Sequence, residues 1–473
     1  MTVLLLSNVG ERDLLLEGKE VRPARLEGQK LLEGFERLRG RLSLQMLTPV
    51  VEELLRRHPQ IEVVLYGTDQ PEGTDARYWD TDTLYIAKAA ARLLEERYGD
   101  KGVSRVWVKL IQANPSLYDD MLAYFRDQLS PRLAWVKGAE LCYAYPVGGT
   151  PAANMGLLLA AIEAFGERCR TLYLPRGERH PVAMDLGDQV RRGVARRLAG
   201  ERLRDLSFGT AACLLEEAGA PKWAVWLARY ATDRYHFNFD AASAHIEAAK
   251  AACGADIRAR AACERLRLGL IGLRDRDIPS LLAELYHNGS LAYRRGEHAA
   301  FLGVVFRFQE ALLRYMVETL YPGFSTDVHD SESRARFREA LEARPALLAH
   351  LKGQMVNGRP LDCTKPDRLA LRAMVRFACD GGGAEPEQAA QCRRALSIAD
   401  RLDCLSGLRN RSVIAHGFEG VSEARILETY AEAGHGGSPL EDMAATLGAL
   451  GIEAGEDPFQ TVAELALREL EKL

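Results

Sequence analysis

Residues Leu141–Phe165 read LCYAYPVGGTPAANMGLLLAAIEAF, and three patterns follow one another within them. The apolar, aromatic run Leu141–Val147 has the length and residue types of a buried strand. Ala152–Phe165 is apolar for long enough to predict a helix. Between them, Gly148 and Gly149 let the backbone come close to a ligand, and Thr150 supplies a hydroxyl. Pro151 suits a first helical turn, whose free N–H groups point back toward the loop. Asn154, one turn on, faces the same place. Strand, glycine loop and helix in this order form a phosphate-binding geometry, although the loop is neither a Walker loop nor G-x-G-x-x-G. An ordinary tight turn uses the same residue types.

The same alternation extends outward on both sides. Strand-like runs recur at Val3–Ser7, Ile61–Tyr66, Val103–Ile111 and Thr171–Leu174. Helical patterns fall between them at Gly28–Arg37, Ser43–Arg57, Asp82–Tyr98 and Tyr118–Gln128. Alternating strands and helices predict a mostly parallel, Rossmann-like α/β sheet covered on both faces. Such sheets bind ligands outside the carboxyl ends of their strands, where the strand order reverses. Four loops should therefore share one edge. SNVGERD brings Asn8, Gly10 and Arg12, and Tyr66–Gln70 brings Thr68. Asn114-Pro115-Ser116 and Gly148–Pro151 complete the set. Each alone is weak, because Asn, Gly, Thr and Asp are turn residues.

Past Leu174 the strand signals fade. Pro175–Gly200 reads as a polar connector with a basic run at Arg191, Arg192, Arg196 and Arg197, either a solvated helix face or a surface that steers RNA. From Leu206 onward the periodicity is helical. One group covers Leu214–Ala231, Ala241–Cys253 and Ala259–Leu273. A second covers Leu281–Leu320, Ser331–Val356, Arg368–Phe377, Glu385–Asp403 and Gly407–His416. Pro322-Gly323 and Gly381-Gly382-Gly383 mark loops. The expected organisation is an α/β domain over residues 1–178, an all-α connector over 179–277 and a second helical domain over 278–473.

With 473 residues, 47% of them hydrophobic, the chain can build two or three cores. A net charge of -4 argues against constant coating of long nucleic acid, so any RNA would be handled in a local cleft. No apolar run is long enough to span a bilayer. The opening MTVLLLSNVGERD lacks a basic flank and a cleavage site and reads as a first strand. Nine scattered cysteines without a C-x-x-C pair suit reduced, mostly buried thiols in a cytoplasmic protein, with no zinc site.

The second chemical signal is GLRNRSVIAHGF, Gly407–Phe418. Read as a helix, it places Arg409 and His416 on one face two turns apart, with Arg411 offset by about 140° from His416. Arginine can hold a phosphodiester and stabilise its developing charge, and histidine moves protons near neutral pH. Such a pair cleaves RNA without a metal, since the neighbouring 2′-hydroxyl is an internal nucleophile. A capped helix end before Gly417 would use the same residues. His329 and His435 sit in polar loops with no carboxylate or cysteine at ligand spacing.

These motifs together resemble the CARF–HEPN ribonucleases of type III CRISPR antiviral systems, over almost the whole chain. The N-terminal marks are LLLSNVGERD, LYGTDQ, NPSLYDDMLAYF and GGTPAANM; the C-terminal ones are ELYHNGSLAYRRGEHAAFLGVVFRFQEALL and LRNRSVIAH. The resemblance implies a CARF domain that binds cyclic oligoadenylate, with the tetra-adenylate ring ranked ahead of the hexa-adenylate, and a HEPN domain that cleaves single-stranded RNA. It implies a homodimer with one composite site built from two motifs. Asn8, Gly10, Arg12, Thr68, Gly148, Gly149, Thr150 and Asn154 would line the activator pocket. Arg411, His416, Arg409 and Asn410 would be catalytic, with no metal or other cofactor. Arg411 fits the shorter arginine-x4-to-6-histidine spacing and is preferred as the main clamp. Asparagine follows Arg409 rather than Arg411, however, so the principal arginine stays open. Degradation of the activator by the sensor could accompany this activity. The rival reading is a signal-binding regulator whose helical half docks a protein or DNA without catalysis.

Overall fold

The computed structural model describes residues 2–175, 177–356, 358–381 and 385–473. The chain divides into two compact units, Met1–Val194 and Ala195–Leu473.

The first unit begins with β1 (Val3–Asn8), buried along its whole length. Three two-residue strands follow, β2 (Leu15–Leu16), β3 (Lys19–Glu20) and β4 (Leu42–Ser43), which make a small antiparallel sheet. Then come β5 (Ile61–Thr68), β6 (Val103–Ile111), β7 (Leu141–Tyr145), β8 (Cys169–Tyr173) and β9 (Val182–Met184). The main sheet runs β6-β5-β1-β7-β8-β9, parallel except for β9. Leu5 lies opposite Val63 on one side and Tyr143 on the other.

Alternate residues of β1 enter different cores, as the period of two requires. Val3 and Leu5 pack with the helices Ala24–Glu33, Leu47–Arg57 and Leu84–Tyr98. Leu4 and Leu6 pack with Tyr118–Gln128 and Pro151–Phe165. Both faces are covered, which is why the strands read as apolar runs. The strand order reverses between β1 and β7, so the loops after these two strands meet at the switch point.

The five expected strands and the helices between them are present. The polar connector is more ordered than its composition suggests. It holds β9, paired antiparallel with β8, and a helix over Leu186–Arg204. Arg192, Arg196 and Arg197 on that helix are exposed, while Arg191 pairs with Asp188.

The second unit is helical apart from the two-residue strands β10 (Met355–Val356) and β11 (Arg359–Pro360). It has two apolar cores. The first gathers residues from Ala195 to Leu273 and also takes in the C-terminal helix Pro458–Leu470, where Phe459 sits 6.1 Å from Phe208 ring to ring. The second runs from Leu282 to Ile452. A buried ion pair, Arg234 to Glu284 at 2.6 Å, joins the helix Lys222–Tyr235 to the helix Ile278–Arg294.

Several helical patterns are shorter or broken in the structure, among them 214–231, which breaks at Ala218-Gly219-Ala220-Pro221 between the helices Phe208–Glu217 and Lys222–Tyr235. The run 281–320 breaks at Arg295-Gly296-Glu297, where Gly296 has φ 71°. The run 331–356 becomes Ser331–Glu342, Pro345–Lys352 and β10. The helix expected over Gly407–His416 stops at Arg411. Gly382 and Gly383 of the expected glycine loop lie outside the described residues. Among the described residues no helix is long and apolar enough to cross a membrane. All nine cysteines are free thiols, six of them buried and Cys213 exposed.

Candidate functional site

At the switch point the β1 and β7 loops touch backbone to backbone. Gly148 and Gly149 have φ 87° and 65°, a region that side chains other than glycine rarely adopt. A Cβ on Gly148 would collide with the Asp13 carboxylate, and one on Gly10 would lie 2.6 Å from the Gly149 nitrogen. Thr150 caps the helix Pro151–Phe165: its Oγ1 accepts from the Ala153 N–H at 3.2 Å. The same hydroxyl donates to the Pro115 carbonyl, which ties the loop after β6 to the loop after β7. Asn8 is buried, and its Nδ2 donates to Asn154 Oδ1 at 2.9 Å. Its own Oδ1 is buried without a partner. An unpaired buried acceptor is costly, so this polar seam is a natural place for a ligand to complete. Gly10, Gly149 and Asn154 remain at least partly exposed beside it.

Two expected contributors have other engagements. Thr68 is buried and locked to Thr83, its N–H donating to Thr83 Oγ1 at 3.1 Å and its Oγ1 accepting from the Thr83 N–H at 3.0 Å. Thr83 Oγ1 in turn donates to the Val9 carbonyl at 2.9 Å. Thr68 therefore braces the β1 loop from beneath. Arg12 extends into solvent, with 75% of its side chain exposed, and pairs with Glu20 at 3.0 Å. A charged, alternating loop sequence does not reveal which partner an arginine takes.

Sequence reading missed Asp13. It is 2% exposed, and its Oδ2 accepts from the Gly10 N–H at 2.6 Å. Burial pushes its carboxyl up to about 7, against the opposing pull of that N–H. Asp13 thus holds the β1 loop in the shape that meets Gly148.

In the second unit the helix Ser406–Arg411 ends in a compact turn. Ser412 is fully buried, with its Oγ donating to the Arg409 carbonyl at 2.8 Å. The turn closes through Gly417 N–H to the Ser412 carbonyl at 3.2 Å and Glu419 N–H to the Arg411 carbonyl at 2.8 Å. A Cβ on Gly417 would overlap the Arg411 carbonyl, so only glycine fits. The expected two-turn helical stacking of Arg409 and His416 is therefore replaced by a fold-back. His416 is exposed, and its N–H reaches the Asn410 carbonyl at 3.3 Å.

The two arginines differ. Arg411 Nε pairs with Glu419 Oε2 at 2.9 Å. Arg409 has no carboxylate partner among the described residues. Its guanidinium carbon lies 4.8 Å from the Phe306 ring centre, its buried Nε is unpartnered, and its Nη1 reaches Asn410 Oδ1 only at 3.5 Å. Phe306 lies on the helix His298–Leu320, and nothing in its local sequence marked it as part of this site. Val413, Ile414 and Phe418 around the turn are exposed, Phe418 at 95%. Among the described residues no group of three or more His, Cys, Asp or Glu is placed to hold a metal ion.

No family model matches the sequence. No curated protein matches it either. Among solved structures, the chain is similar to Enterococcus italicus Csm6 bound to cyclic hexa-2′-fluoro-hexa-dAMP, with a TM-score of 0.57, 13% identity and 99% of both chains covered. That likeness is one of fold: a Rossmann-like α/β unit followed by a helical unit, in the same order along the chain.

Proposed function

We propose that the chain is a single-strand-specific endoribonuclease switched on by cyclic oligoadenylate. The observation that carries this reading is the fold-back turn. It sets an exposed histidine beside Asn410, next to an arginine with no carboxylate partner among the described residues. The 2′-oxygen of the substrate attacks phosphorus, His416 moves the proton, and Arg409 stabilises the phosphorane-like transition state. The products are a 2′,3′-cyclic phosphate and a 5′-hydroxyl, formed without a metal ion. Arg409 takes the principal role because Arg411 is already paired with Glu419.

The activator lies on the switch-point loops, with Gly10, Gly148, Gly149, Thr150, Asn8 and Asn154 around its phosphates and adenine edges. The fold likeness to a Csm6 holding a cyclic hexa-adenylate analogue supports this class of ligand. The working enzyme is a homodimer, for which the exposed Val413, Ile414 and Phe418 beside the motif supply apolar surface. Activation requires that the ligand bind the active dimer more tightly than the inactive one.

One plate tests this: purified protein, a fluorogenic RNA, excess EDTA, and cyclic adenylates of three to six units. Cleavage with one ring size, lost in His416→Ala, is the expected result. The tetra- and hexa-adenylate rings are the first two to compare. Binding of a ring without cleavage would leave a signal-binding regulator instead.

A further inference from the structure

Two guanidinium groups share one aromatic ring at the edge of the fold-back turn. The Arg409 carbon lies 4.8 Å from the Phe306 centroid and the Arg368 carbon 5.2 Å from it. Phe306 sits one turn past Gly303, whose ideal Cβ would stand 3.6 Å from the Ile414 side chain. Ring and turn therefore occupy the same helix face. Cations on one ring gain from its electron-rich face but repel each other. Burial, with Arg372 and Arg409 close by, holds Arg368 below the usual arginine range.

Local carboxylates do not balance this charge. Asp403 serves Arg368, but it also accepts from Arg372 Nη1 at 2.6 Å and from Gln309 Nε2 at 2.8 Å. Asp400 is shared by Arg372 at 2.6 Å and Arg376 at 3.0 Å, so two carboxylates face the four guanidinium groups of Arg368, Arg372, Arg376 and Arg409. The buried Nε atoms of Arg372 and Arg409 have no hydrogen-bond partner among the described residues. Buried donors without acceptors are rare in folded proteins. In a chain of net charge -4, this is a local concentration of positive charge in need of an anion.

We propose that Arg368, held beside Arg409 on the Phe306 ring, forms a second phosphate position that takes the phosphodiester next to the one Arg409 holds at the cleavage point in single-stranded RNA. Holding both guanidinium groups on one ring fixes them before RNA arrives, which reduces the ordering cost of binding. The inference rests on the ribonuclease reading above and adds a substrate-positioning residue, Arg368, outside the histidine motif.

The test uses the full chain carrying His416→Ala, so that RNA is bound and not cut, with the activating cyclic adenylate present. A fluorescein-labelled single-stranded RNA is titrated by anisotropy across a salt series. Each phosphate contact to a single strand contributes about 0.7 to the slope of log affinity against log salt. Adding Arg368→Gln, which keeps a donor for Asp403, should reduce the slope by about 0.7 and weaken binding roughly tenfold at low salt. Phe306→Leu, which leaves every ion pair in place, should lower the affinity in the same direction. Unchanged slope and affinity in both variants, while wild type still cleaves RNA, would overturn the second position and leave the ribonuclease reading intact. Absence of RNA binding in the parent together with absence of cleavage by wild type would overturn both.

Discussion

Arg411 and Glu419 are ion-paired at 2.9 Å across the turn that carries His416, whereas Arg409, two residues earlier, meets a ring and, among the described residues, no carboxylate. An exposed pair of this kind contributes little to stability, about 0 to 1 kcal/mol. It does reduce the availability of Arg411 for a phosphate. Arg409→Ala should therefore cost more in RNA cleavage than Arg411→Ala. His416→Ala should cost roughly two to four orders of magnitude. Single-turnover rates at saturating activator separate the two arginines, and the reverse order would return the principal role to Arg411.

Gly417 is the hinge of the same turn. A methyl group there meets the Arg411 carbonyl, which is backbone and cannot step aside. Gly417→Ala should open the turn and pull the His416 N–H from the Asn410 carbonyl. Cleavage should fall by at least about tenfold, the effect of misplacing a proton carrier by an ångström or so, with activator affinity unchanged. Wild-type cleavage in this variant would show that the fold-back is not needed for chemistry.

The sequence made the main sheet legible because buried parallel strands are continuous apolar runs, as in Val3–Asn8 and Ile61–Thr68. It hid β2, β3 and β4, since two residues carry no period. The glycine loop at 148–149 was readable because positive φ demands glycine. Thr68 and Arg12 were not, because their partners Thr83 and Glu20 are chosen by tertiary geometry. The histidine motif was found by its residue types, but its shape was misjudged: Ser412 turns inward and ends the helix where the periodicity ran on. Phe306 and Arg368 lie far from the motif in sequence, and only the fold brings them to Arg409.

The ion pair between Arg234 and Glu284 is buried on both sides, and Tyr230 and Asn288 add hydrogen bonds to it. Breaking one partner strands a charge, which costs about 3 to 5 kcal/mol. Glu284→Ala should destabilise the helical unit by that amount in urea unfolding. The double change Arg234→Met with Glu284→Leu should recover most of it, because the desolvation cost disappears with both charges. A double variant as unstable as the single one would mean that packing at these positions, rather than charge, sets the loss.

Asp13 gives the α/β unit a pH dependence of defined sign. Its carboxyl is raised from 3.8 to about 7 by burial, and the neighbouring Tyr145 stays neutral with its hydroxyl donating to the Met46 carbonyl. The folded state then holds this proton over a range where the unfolded chain has released it. Stability from this group is fully present below about pH 4, falls as the pH rises toward 7, and levels off above it, with a slope near 1.4 kcal/mol per pH unit. Asp13→Asn keeps an oxygen to accept from the Gly10 N–H but carries no proton to lose. The difference between variant and parent isolates this residue from every other titrating group. Between about pH 5 and pH 7 that difference should move in favour of the variant by roughly 2 to 3 kcal/mol. Native-state hydrogen exchange of peptides covering β1 and β5 reads the α/β unit alone, so the helical unit does not blur the result. A difference that stays constant with pH would mean that Asp13 is ionised in the folded protein, with its charge balanced by a cation or solvated by water beneath the Gly148 loop.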